Sequence, residues 1–119
     1  MTENKLYFET TCGDGVLRLS CDAAAALVRT AAAEISGVSE AMSPEAMSAE
    51  WKGSRGVWIA AGEGENSCRI RMYISVMLGD PITAKAAAVQ EKIKNTLEGG
   101  TFLHAEAIDV FVTGVRLEK

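Results

Sequence analysis

The chain has 119 residues, of which 48% are hydrophobic and 24% charged, enough to enclose one core but not two, and a usage that excludes the disordered and fibrous classes. Its formal charge of −4 and sequence pI near 5.0 give a field that repels nucleic acid and anionic lipid unless a local basic patch overrides it. No stretch approaches the roughly 20 apolar residues of a membrane span, and Met1-Thr2-Glu3-Asn4-Lys5 is not followed by the apolar run of a signal peptide, so a cytoplasmic protein that meets a membrane only through a partner is expected.

Residues 1 to 14 end in the turn-forming cluster Cys12-Gly13-Asp14-Gly15 and read as an N-terminal arm, loose or packed at an edge, ahead of a single domain over 15 to 119. Val16-Leu17-Arg18-Leu19-Ser20 alternates, with Leu17 and Leu19 on one face, as a half-buried first strand. Ser20 and Asp22 are good helix caps, and Ala23 to Ile35 is alanine-rich and free of Gly and Pro. In this first helix Ala24, Leu27, Val28, Ala31, Ala32 and Ile35 share one apolar face. Gly37 ends it, and Val38 to Met42 forms a short second strand.

Ser43-Pro44-Glu45 predicts a short surface helix over Pro44 to Lys52, closed by Gly53. Val57 to Ala61 and Ser67 to Leu78 then read as a hairpin around 62–66. Its second strand carries the clearest alternation in the chain: Cys68, Ile70, Met72, Ile74, Val76 and Leu78 against Arg69, Arg71, Tyr73, Ser75 and Met77. Gly79-Asp80-Pro81 breaks it. Ile82, Ala86, Val89, Ile93 and Leu97 trace one face of a helix over 82 to 98, which Gly99-Gly100 stops. From Phe102 the period returns to two, with Ile108, Val110 and Val112 opposing Asp109, Phe111 and Thr113, and Gly114 marks a bulge. One-sided helices and strands are satisfied together by an α+β two-layer sandwich, two helices packed on one face of a mixed β-sheet, in the order β-α-β-β-β-α-β.

The residues offer little reactive chemistry. Cys12, Cys21 and Cys68 are an odd set without a C-x-x-C pair, which fits neither a disulfide framework nor a zinc site. Cys21 stands at a helix start, where amide dipoles favour a thiolate, against the commoner reading of a small buried cysteine. His104 is the single histidine, and a pairing with Cys21 or Cys68 competes with an ordinary structural or surface role. Glu63, Glu65 and Asn66 are a solvated turn before they are a cation site, and the glycines form neither G-x-G-x-x-G nor a phosphate loop. The expectation is therefore a non-enzymatic protein with no catalytic, cofactor-binding or metal-binding residue.

The face of the sheet turned from the helices is richer. If Ile70 and Ile74 point inward, Arg69, Arg71 and Tyr73 point out, joined from neighbouring strands by Trp58 and Phe111, and by Arg18 and Thr113. Aromatic and arginine side chains are contact material for another copy, a partner protein or single-stranded RNA. The alternative is a solvated face whose aromatics pair across strands. An RNP1-like reading of Arg69-Ile70-Arg71-Met72-Tyr73-Ile74 lacks that signature's Gly and second aromatic.

Across 15 to 118 the chain resembles the alkaline shock protein family, the small bacterial envelope stress response proteins. The likeness rests on Gly15 and Leu19-Ser20, on Glu34-Ile35-Ser36-Gly37-Val38, on Gly56-Val57 and on the alternating strand to Val76. It continues through Ile82, Val89-Gln90, Ile93-Lys94 and Leu97-Glu98 to Val110, Val112 and Gly114-Val115. Pro81 precedes Ile82, where many members have proline after the isoleucine. The resemblance implies a self-associating scaffold or adaptor of the envelope stress response, brought to the membrane by a membrane-spanning partner; some branches are linked instead with fatty-acid synthesis.

Overall fold

The long alternating run forms the middle of the sheet. In the computed structural model, which describes residues 6–117, the chain runs β1 (Tyr7–Cys12), β2 (Gly15–Ser20), α1 (Cys21–Ala33), β3 (Val38–Glu40), β4 (Lys52–Ser54), β5 (Val57–Ala61), β6 (Ser67–Met77), α2 (Ile82–Gly100) and β7 (His104–Arg116). β6 pairs parallel with β7 along one edge, from Ser67↔His104 to Met77↔Arg116. Two antiparallel partners share its other edge end to end, β5 opposite residues 68–72 and β3 opposite 74–76. Tyr73 bridges their junction: its amide donates to Gly56 O and its carbonyl accepts from Ala41 N, both at 2.8 Å. β4 adds to β5 and completes a mixed five-stranded sheet.

Residues paired in register share a face. Cys68, Ile70, Met72, Ile74 and Val76 of β6 therefore point the same way as Val57 and Ile59 of β5, and all are buried. Both helices pack on that face, α1 over β3 and β5, α2 over β7. Ala24, Ala25, Val28, Ala31 and Ala32 bring α1 close to the sheet, and Val89, Ile93 and Leu97 of α2 fill the space beside it. This is the expected α+β two-layer arrangement.

The helix ends show why each stops where it does. Ser20 Oγ accepts from Ala23 N at 3.0 Å and starts α1. Gly37 follows its end at φ +82°, where any side chain would run into the Asp80 carboxylate. α2 continues through Gly99 and Gly100 to Thr101, whose amide and hydroxyl both donate to Leu97 O, at 2.9 and 2.7 Å. The stop therefore comes from the threonine cap and not from the glycine pair.

Three expectations are corrected. Residues 7–12, read as part of an arm, form β1 and pair with β2 through the two-residue turn Gly13-Asp14, with Gly13 at φ +59°; residues 1–5 lie outside the described residues. This hairpin is a separate two-stranded sheet, so β2 is not part of the main sheet: Phe8 and Leu19 pack on the core while Leu17 stays 45% exposed. The helix expected over 44–52 is absent. Ser43 Oγ accepts from Glu45 N at 3.3 Å and closes a local turn instead, and the chain folds back through Trp51 into β4, which adds a strand to the expected order.

Candidate functional site

The face opposite the helices carries Arg69, Arg71, Tyr73 and Ser75 of β6. In register, Trp58 of β5 and Asp109 of β7 flank Arg71, Ala60 and Ala107 flank Arg69, and Phe111 stands beside Tyr73. Trp58, Arg69, Arg71, Tyr73 and Phe111 are thus brought onto one surface, as their alternation predicts. Their accessibility differs. Tyr73 is 3% exposed and forms a floor, whereas Phe111, stacked on it with centroids 5.1 Å apart and planes at 23°, is 41% exposed. Trp58 is half-buried and its Nε1 donates to Arg55 O at 3.3 Å. Thr113 is exposed on β7, but Arg18 belongs to the hairpin, where it pairs with Glu9 at 3.0 Å and lies 4.4 Å over the Tyr7 ring.

Sequence reasoning missed Trp51. It sits in a stretch without periodicity, and its one signal was a large aromatic two residues before Gly53. The fold-back lays it across both arginines, its ring centroid 5.0 Å from Arg69 Cζ and 4.7 Å from Arg71 Cζ. Arg69 is held by Ala61 O at 3.0 Å and Glu50 Oε2 at 3.1 Å. Arg71 lies between Trp51 and Phe111, 5.6 Å from the latter, and its Nε is buried with no hydrogen-bond partner among the described residues.

Glu40, in register with Ile74, lies on the opposite, helix-covered face and anchors β3 to α1. Its carboxylate accepts from Arg29 Nε at 2.8 Å, Arg29 Nη2 at 3.2 Å, Gly56 N at 3.0 Å and Arg55 Nη2 at 3.4 Å. Burial opposes its ionisation, but the Arg29 hydrogen bonds, the Gly56 amide and the charges of Arg29 and Arg55 together hold its carboxyl below the ordinary value. The knot ties α1 and β3 to the turn that launches β5 and Trp58.

Elsewhere, Cys21 and Cys68 are buried and His104 lies at the surface. Burial pushes the Cys21 thiol up, Asp22 adds to this and Lys52 opposes it, which favours the reading of a small buried cysteine over that of a thiolate. Cys68 is pushed up to about 12, first by burial and then by Glu98, Cys21 and Glu106. His104 is exposed, with Nδ1 2.8 Å from Glu98 Oε2. A cleft of about 600 Å³ between the hairpin and the β5–β6 turn has Cys21, Glu9, Glu50, Glu63 and Glu106 on its walls but not His104. Among the described residues no three His, Cys, Asp or Glu side chains are grouped to hold a metal ion.

The model of the alkaline shock protein 23 family, described as cell envelope-related in function, matches residues 9–117. The chain belongs to the alkaline shock protein family. No curated protein and no solved structure matches it. The family match runs from within β1 of this alkaline shock protein-family domain to the residue after β7, so it includes the whole arginine-aromatic surface. The family relates to the cell envelope and is not a known enzyme family. No helix among the described residues is long and apolar enough to cross a membrane.

Proposed function

We propose that the domain is a non-enzymatic scaffold or adaptor of the envelope stress response, which self-associates and is held at the membrane by a membrane-spanning partner. The observation that carries this reading is the surface opposite the helices, where an exposed Phe111 is stacked on a buried Tyr73 beside Trp58, Trp51 and two arginines. Tryptophan, tyrosine and arginine dominate contact energy at protein interfaces because they bury much area with few rotors. Here stacking already fixes their rotamers, so a contact loses little further entropy. Burial, by contrast, raises the thiols of Cys21 and Cys68 above their ordinary value.

Light scattering over rising protein concentration tests self-association, with Phe111→Ser and Trp58→Ser as the perturbed forms. Wild type is expected to gain mass with concentration and the variants to lag behind it, with circular dichroism unchanged. A wild-type mass that stays monomeric throughout overturns self-association. Cross-linking in native membranes tests the partner, and recovery of no membrane-spanning protein overturns that part.

A further inference from the structure

Among the described residues every arginine but Arg71 has an acceptor. Arg18 bonds Glu9, Arg29 and Arg55 bond Glu40, Arg69 bonds Glu50, and Arg116 donates to Ser75 Oγ and Gly37 O. Arg71 has two rings and no carboxylate: Trp51 at 4.7 Å, Phe111 at 5.6 Å, and an Nε buried without an acceptor. Asp109 is its register neighbour on β7, yet the two form no ion pair. The terminal nitrogens of the half-buried Arg71 also make no hydrogen bond or ion pair among the described residues, so an acceptor supplied from outside meets donors that the fold leaves open.

On the reading that this surface is a contact face, we propose that Arg71 receives a carboxylate from an acidic, apolar peptide segment of a partner protein. The ring contacts orient the guanidinium plane before binding, and the buried Nε leaves the terminal Nη pair as the fork for a carboxylate. Phe111, 41% exposed, and the half-buried Trp58 flank that fork and seat the segment's apolar side chains. Charge favours this occupant over a nucleic acid. One unpaired cation suits one carboxylate, whereas Asp109, Glu50 and the chain's charge of −4 repel a polyphosphate backbone.

Fluorescence anisotropy tests this with three labelled probes: a short leucine-rich peptide carrying a single glutamate, the same peptide with glutamine for glutamate, and a short single-stranded RNA. Wild type is expected to bind the glutamate peptide about tenfold more tightly than the glutamine peptide. Arg71→Gln should erase that preference, and Arg71→Lys should restore only part of it, because an ammonium lacks the fork. The comparison of the two peptides on wild type needs no variant, so it stands even where Arg71→Gln fails to fold. Equal affinity for the two peptides, binding of neither, or tighter binding of the RNA overturns the assignment. Because self-association uses the same face, the glutamate peptide should also slow the gain of mass with concentration, and a mass curve untouched by saturating peptide overturns the assignment as well. If the peptide preference is missing while Phe111→Ser still weakens self-association, only the carboxylate assignment fails; if self-association is also untouched, the contact-face reading fails with it.

Discussion

Replacing Glu40 should cost the fold far more than its place on a three-residue strand suggests. Its carboxylate gathers Arg29, Arg55 and the Gly56 amide, with 15% of the side chain exposed against 30% for Arg29 and 64% for Arg55. Glu40→Ala leaves the Gly56 N–H without its acceptor and Arg29 with only Ser54 O, at 3.1 Å. Removing one partner of a fully buried ion pair costs ~3–5 kcal/mol. Solvent at the two arginines discounts this to about 2–3 kcal/mol, equivalent to a fall in Tm of roughly 8–12 °C for a domain of this size. Glu40→Gln keeps an acceptor but loses the charge, and should cost about 1 kcal/mol. The sign with pH follows from the lowered carboxyl: the unfolded chain takes up the proton first, so the charge's contribution is complete above the ordinary value of 4.5 and disappears as pH falls through the lower folded value. Thermal melts of wild type and Glu40→Gln should therefore differ at neutral pH and converge in acid below 4.5. Equal melts at neutral pH, or a gap that does not close in acid, would refute the electrostatic account.

Tyr73→Ala should destabilise by ~3–5 kcal/mol in a denaturant titration, since it empties a buried aromatic site, while Phe111→Ala on the same surface should cost only about 1 kcal/mol. Ile93→Ala, which opens a cavity between α2 and the sheet, should cost ~3–4 kcal/mol in the same assay. A thiol reagent at mildly alkaline pH should label the exposed Cys12 promptly and reach the buried Cys21 and Cys68 only on unfolding; fast labelling of Cys21 in the folded protein would mean that burial is not what controls its thiol. Gly56→Ala drives a Cβ into the Ala41 carbonyl oxygen and should lower Tm and expose Trp58 to quencher.

Much of this molecule is written in local pattern. The period-two run through 68–77 placed Ile70, Met72 and Ile74 in the core and the arginines outside, because a one-residue slip would have turned every apolar side chain to water. Gly114 gave the bulge, which falls between Ile74 and Ser75 on the partner strand. What was not legible depends on long-range contact. β1 is too mixed in composition to announce a strand, and its two-residue turn, its ladder with β2 and the packing of Phe8 on the core fix it in place. The Ser43-Pro44 signal of a helix start was spent on a local turn, because the 43–51 stretch is held by Arg55, Arg69 and Arg71 and not by its own periodicity. On the contact face, alternation identified Trp58, Arg69, Arg71, Tyr73 and Phe111, but said nothing of Trp51 over the arginines or of the stacked Phe111 over a buried Tyr73.

Both tryptophans of the chain lie on that face, Trp51 over the arginines and Trp58 beside Arg71. Acrylamide quenching of intrinsic emission, followed as concentration is raised and set against the mass in the same samples, reads the contact directly. Quenching that falls as mass rises, and that changes little for Phe111→Ser, is expected. A rise in mass with quenching unchanged would place assembly on another surface and contradict the assignment of this one.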